Sequence, residues 1–189
     1  MTITTAPASL AQLQGTWTID PDHTRIGFVA RHAMVTKVRG AFGQFSGRAV
    51  VGGAGLTGSE VSLTIEAASI DTGNRQRDDH LRSGDFLGME QFPRITFVST
   101  AVRQVGESVV EITGDLTIRD VTRSVTIPFE FGGATVDPDG DLRAGFEGSV
   151  TINRRDFGIT WNAALETGGG VLVSDKVVLE FDVAAVRDA

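Results

Sequence analysis

The chain has 189 residues, 41% of them hydrophobic and 22% charged, a balance that excludes a largely disordered polypeptide and suits one globular domain. Lys and Arg number 17 against 24 Asp and Glu, for a formal charge of −7, which argues against a broad electrostatic grip on nucleic acid or anionic lipid. The absence of cysteine removes disulfides, thiolate zinc sites, iron–sulfur clusters and a cysteine nucleophile together.

Residues 1–14 contain no Lys or Arg and no apolar run of secretory length, and read as a flexible arm with a weak helical turn near Leu10 to Leu13. Without a leader and without any stretch long enough to span a bilayer, the expected place is the cytoplasm and not the membrane interior. From residue 15 to 189 the expected unit is one domain built from strands. Period-two alternation puts Ile26, Phe28, Ala30 and His32 on one face, and then Val61, Leu63, Ile65 and Ala67. Further on it groups Val110, Ile112, Leu116 and Ile118, and then Val125, Ile127, Phe129 and Phe131. Phe146, Val150 and Ile152 follow, and last Val177, Leu179, Phe181 and Val183.

One wet face per strand is the mark of antiparallel sheets. Pro128, on the polar face of its run, calls for an edge, a strand end or a bulge. The rhythm breaks at 74–87, where Asn74 can cap one short helix that Gly84 ends, and again at 153–170, which includes Gly168 to Gly170. About eight long runs, linked by short turns, can stack as a sandwich or close as a barrel.

Particular residues narrow the choice. The run Trp17-Thr18-Ile19-Asp20-Pro21-Asp22-His23-Thr24-Arg25-Ile26-Gly27-Phe28, then Arg31-His32 and Gly40-Ala41-Phe42, resembles the opening of the YceI-like family of lipid-binding barrels. Asp79-His80-Leu81-Arg82-Ser83-Gly84-Asp85-Phe86-Leu87, Gly114-Asp115-Leu116-Thr117-Ile118 and Asn153-Arg154-Arg155-Asp156-Phe157-Gly158 resemble later segments of that family in the same order. Thr24 and Asp120 depart from the usual Ser and Gly.

The resemblance implies an all-β, eight-stranded antiparallel up-and-down barrel, extended and lipocalin-like, with one short helix in a covering loop. It implies a small apolar lipid as partner, a polyisoprenoid or fatty-chain amphiphile bound in the lumen without covalent chemistry, and neither cofactor nor metal. A homodimer is compatible with the sequence, although no residue pattern specifies one.

On inward aromatics alone, core filling outweighs a ligand tunnel by about two to one. The resemblance turns that balance, making Trp17, Ile26, Phe28, His32, Phe42, Phe86, Phe97, Phe129, Phe131, Phe146, Phe157, Trp161 and Phe181 the expected lumen lining. Arg31, Arg82 and Asp85 are candidates for a polar head group, because guanidinium offers forked donors. The competing reading joins Arg82 and Asp85 to Arg155 and Asp156 in an ion-pair network between the helix loop and 153–158. His80 beside Asp78 and Asp79 lacks a second His at ligand spacing, so no metal is expected. An enzyme using Ser83 or Ser46 with His32 or His80 lacks any nucleophile elbow or triad pattern. A third reading is an interaction module that presents a strand edge or face to a protein partner, the cavity being incidental; closure of the barrel argues against it, since closure removes edges.

Overall fold

A computed structural model describes residues 9–166 and 170–189. The expectations placed on residues 1–8 and on Gly168 and Gly169 lie outside those residues. The strands are β1 (Gly15–Ile19), β2 (Arg25–His32), β3 (Thr36–Phe42), β4 (Phe45–Val51), β5 (Glu60–Glu66), β6 (Ile70–Asp71), β7 (Arg94–Gln104), β8 (Val109–Ile118), β9 (Val121–Val136), β10 (Leu142–Asn153) and β11 (Lys176–Arg187). The helix α1 covers Arg75–Arg82.

These pieces make eight continuous staves, because the first six strands pair off end to end. β1 and β2 are one strand interrupted by a 3-10 turn at Pro21–His23, where the Asp20 carboxylate accepts the Asp22 N–H at 3.0 Å. β3 runs into β4 across Gly43 and Gln44, and β5 into β6 across the turn Ala67–Ser69. Each stave is antiparallel to the next, and β11 pairs with both β1 (Ile19↔Ala185) and β2 (Phe28↔Leu179). That last pairing closes the cylinder and removes the sheet edges on which the protein-docking alternative depended.

Closure needs strong local bends, which bulges provide where β9 meets β10 beside Gly145 and where β7 meets β8 beside Ser99. Pro128 lies one residue past the last β9–β10 pair, Phe129↔Gly148, which meets the expectation of a ladder end. Beyond that pair β9 runs with β8 alone and β10 with β11 alone. A 3-10 turn at Arg154–Phe157 lies against β9 here: Arg123 Nε donates to the Asp156 carbonyl at 3.1 Å, and Phe157 is 2% exposed in a core cluster with Val121, Val125, Val150 and Ile152.

α1 forms where expected. The Asn74 side chain accepts the Arg77 N–H at 3.0 Å, and buried Asp78 accepts the Thr72 N–H at 2.9 Å and the Thr72 hydroxyl, pinning the helix to the segment after β6.

The fold also holds an ionic clasp at the β1–β2 kink. Arg143 donates to both Asp20 and Asp137, and His23 Nδ1 lies 2.8 Å from Asp20. Hydrogen bonding from His23 and Arg143 lowers the Asp20 carboxyl to about 2. Its ionised form is therefore favoured in the folded protein, and this support fades as pH falls from the ordinary value of 3.8 towards 2.

The N-terminal arm needs a correction. Its first residues fall outside the described chain; from Ser9 onward the expected helical turn forms and is anchored by two buried leucines instead of lying free. Ser9 N–H donates to Gln12 Oε1 at 2.9 Å, starting a 3-10 turn, and Leu10 and Leu13 are each 2% exposed. The physical reason is the Leu10–Leu13 spacing, which drives two apolar side chains into one end of the barrel, where the Trp17 indole N–H donates to the Leu13 carbonyl at 2.7 Å.

Candidate functional site

Inward-facing side chains form two buried clusters. One gathers Leu10, Leu13, Trp17, Leu56, Val110, Ala144 and Ala185 at the N-terminal end. The other gathers Ile26, Ile65, Phe86, Ile95, Phe97, Leu116, Ile118, Ile127, Phe157 and Ile159 towards the α1 end. The packing is incomplete: a cavity lined by members of both clusters leaves about 290 Å³ in which the centre of a water molecule could lie. Protein interiors seldom keep voids much larger than one water, so a space of this size is an opening for a ligand and not a packing fault.

Among the described residues the cavity wall carries no Asp, Glu or His; Arg48, Ser59, Thr96 and Arg154 are its strongly polar members, and Ser59 Oγ is already engaged by the Gly52 N–H at 2.9 Å. Such a wall cannot replace the hydrogen bonds of water, and apolar voids of this kind stay dry until hydrocarbon fills them.

Of the expected lining, Trp17, Ile26, Phe28, Phe42, Phe86, Phe97, Phe129, Phe146 and Phe181 reach the cavity. His32 does not. It is exposed, since β2 runs past the rim there and its inward face meets solvent and an isolated bridge to Val173. Phe131 packs on Phe146 at 5.3 Å between ring centroids, and Phe146 is the one that lines the space. Phe157 is core, and Trp161 stacks edge-on against His80 at 4.5 Å and lies 5.3 Å from Phe86, outside the lining.

The expected head-group residues are not assembled at the cavity. Arg82 spends its donors on the carbonyls of Ala68 and Ile70, both at 2.8 Å, and on Asp79 at 3.1 Å, because they hold α1 against β6. Asp85 is bound to His80 Nε2 at 2.8 Å, and Arg31 is exposed on the outside. The alternative network to 153–158 is absent too: Arg155 lies 3.9 Å from Asp175 instead. Nor are the imagined nucleophile pairs formed, since Ser83 Oγ donates to the His80 carbonyl at 2.6 Å and Ser46 is exposed. Among the described residues no cluster of His, Asp and Glu has metal-binding geometry.

Leu10 and Leu13, expected in a helical turn, and Leu56 also line the cavity, a place the sequence had not suggested for them. The sequence reading passed over Arg154. This guanidinium, 4% exposed, donates to the carbonyls of Ser174 at 2.9 Å, Ile159 at 3.0 Å, Trp161 at 2.8 Å and Val173 at 3.4 Å, and pairs with Asp175 at 3.3 Å. Burial pushes its pKa down, yet the carbonyls around it replace the water it lost. It ties the end of β10 to residues 159–161 and 173–175 on either side of the crossing.

A closed eight-stave antiparallel cylinder with a dry axial cavity and a helical turn over one end defines the class: a lipocalin-like barrel built around its interior. The family follows from comparison with known proteins. The YceI-like domain model matches residues 17–185, and the chain belongs to that family. A UPF0312 protein of Staphylococcus aureus (strain MSSA476) is 41% identical over 171 residues, covering 89% of this chain and 95% of its own. The crystal structure of Burkholderia cenocepacia BcnA superposes with a TM-score of 0.76 at 25% identity, covering 88% of this chain and 98% of that one. A polyisoprenoid binding domain from Saccharophagus degradans shares the fold, with a TM-score of 0.68 at 16% identity, over 91% of this chain and 98% of that one. Among the described residues no helix is long and apolar enough to cross a membrane.

Proposed function

We propose that this protein binds a long-chain apolar lipid, of the polyisoprenoid or fatty-chain type, along the barrel axis and carries or sequesters it unchanged. The observation that supports this most is the composition of the cavity wall, which offers hydrocarbon contact over most of its area and, among the described residues, no carboxylate or imidazole for general acid–base work. The fold shared with a polyisoprenoid binding domain points the same way. Each buried CH₂ contributes about 0.8 kcal/mol, so a chain of moderate length reaches tight binding with no polar anchor. Ordering of the flexible ligand and imperfect contact offset part of that gain, and keep affinity below the simple sum. Selection is then by width and length, with any polar end left at an opening.

An enzyme acting on an apolar substrate in the same cavity is the competing reading, and one titration separates them. Trp17 lines the cavity and Trp161 does not, so in a Trp161→Phe variant the emission of Trp17 reports directly on filling. Prenyl alcohols of increasing length should shift that emission saturably, with affinity rising and then levelling once the cavity is full, and should be recovered intact. A flat response at every length contradicts lipid binding. Recovery of a chemically altered alcohol establishes the enzyme.

A further inference from the structure

The acidic total conceals a local excess of the opposite sign. Residues 23–59 hold five of the 17 Lys and Arg and none of the 24 Asp and Glu. Three of the five stand together on the β2–β3 hairpin: Arg31 pairs directly with Lys37, and Arg39 pairs with Val29 on the same outer face. All three side chains belong to exposed residues, and among the described residues none has a carboxylate partner, whereas Arg25 further down β2 pairs with Glu180. Like charges directly opposite each other weaken a hairpin, so the fold gains nothing from this arrangement.

The tip is unusual in a second, independent way. Its turn is closed by the Val35 N–H donating to the His32 carbonyl at 3.1 Å, with Ala33 at φ 51° and Met34 at φ 60°. Turns with two left-handed residues are normally Asn-Gly or Gly-Gly, and a side chain there carries a steric cost of roughly 1–2 kcal/mol per residue. Here that cost is borne while Met34 is 53% exposed and Val35 is 75% exposed, the most solvent-open of the large hydrophobics described. Ala33 N–H donates to the Leu172 carbonyl at 2.7 Å, which fixes the tip beside Val171, itself 39% exposed.

We propose that the β2–β3 tip docks the protein on an anionic phospholipid surface, with Met34 and Val35 entering between head groups while Arg31, Lys37 and Arg39 meet the phosphates. Apolar side chains leading and cations just behind is the order in which a bilayer interface presents itself, and the combination is weak enough to be reversible. The net charge of −7 gives no broad grip on anionic lipid to expect; the attraction proposed here belongs to one tip. Ala30, one residue before Arg31, lines the cavity, so docking at this tip brings the barrel interior close to the membrane. The proposal does not depend on what fills the cavity.

Flotation of the intact protein with vesicles tests it. At low salt the protein should float with phosphatidylcholine vesicles containing phosphatidylglycerol and stay behind with phosphatidylcholine alone. Each cation removed should weaken partitioning roughly fivefold, and a combined Arg31→Gln, Lys37→Gln, Arg39→Gln variant about a hundredfold. Met34→Gly with Val35→Asn should weaken it on the same vesicles while keeping all charges. These residues are exposed and their wild-type arrangement costs stability, so a melting temperature no lower than the wild type's certifies each variant's fold, and the single Lys37→Gln variant suffices if the triple one melts early. Equal flotation with both vesicle types, undiminished flotation of the charge variants, or none by the wild type overturns the proposal. So does a tip that instead forms a dimer in sedimentation at the same concentrations.

Discussion

Replacing Arg154 with Met is expected to remove about 3–5 kcal/mol of stability, a loss that a urea unfolding curve would show as an early midpoint with little change of slope. The size follows from what the guanidinium leaves behind. Carbonyls of Ile159, Trp161 and Ser174 would lose their donor in a place where water does not readily reach, at about 1–3 kcal/mol for each group left unpaired, while Val173 keeps the Asn162 side-chain amide at 2.8 Å. Met fills much of the same volume, so a loss below about 1 kcal/mol would show that these carbonyls find other donors. Lys is not expected to rescue, since one ammonium cannot meet carbonyls arranged around a planar fork.

The second large effect is expected at Phe157, where truncation to Ala should cost about 3–5 kcal/mol. This ring is 2% exposed and packs among side chains of β9 and β10 just where those strands stop pairing with each other. No ladder of backbone hydrogen bonds spans that seam, so side-chain packing holds it, and the void left by the missing ring cannot be closed by shifting one strand along another. Hydrogen exchange read together with calorimetry separates the contributions: protection should fall first in Val121–Pro128 and Ser149–Asn153. A uniform loss across the whole barrel, with those two stretches no worse than β7, would contradict the wedge.

Much of this architecture could be read from alternation alone, and the exceptions have physical causes. The inward rows of β8 and β11 emerge in the cavity as expected, because both strands lie in the cylinder wall for most of their length. His32 misled because parity tells which side a residue faces, not whether anything stands on that side; β2 outruns the rim. Phe131 kept its apolar surroundings but lost its place at the cavity beside the bulge at Gly132, where the β9–β10 register slips. Asp20-Pro21-Asp22 marks the break in the first stave, but the subdivision of the second and third was invisible, since Gly43-Gln44 and Ala67–Ser69 give only weak local signals.

Charge pairing was the least legible. Arg82, Asp85 and Arg155 are all charged positions of the right chemistry for a clamp, yet each is satisfied by a neighbour that only the folded chain supplies. Arg154 stands beside Arg155 with nothing in the sequence to separate them, and topology buries one while leaving the other exposed. Of the hairpin cations only Arg31 stood out in the sequence, as a head-group candidate; its alignment with Lys37 and Arg39 on one outer face depends on the Arg31↔Lys37 register.

Lipid carriage by this barrel depends on hydrocarbon occupying the axial space. Native mass spectrometry of the protein purified without detergent, followed by solvent extraction, tests it most directly. The account predicts an added mass near one long-chain lipid per barrel, recovered unmodified and lost when Phe97, on the cavity wall, is replaced by a polar residue in a variant that still folds. Protein of bare polypeptide mass from several hosts, which also takes up no prenyl or fatty-chain compound supplied in excess, would contradict it.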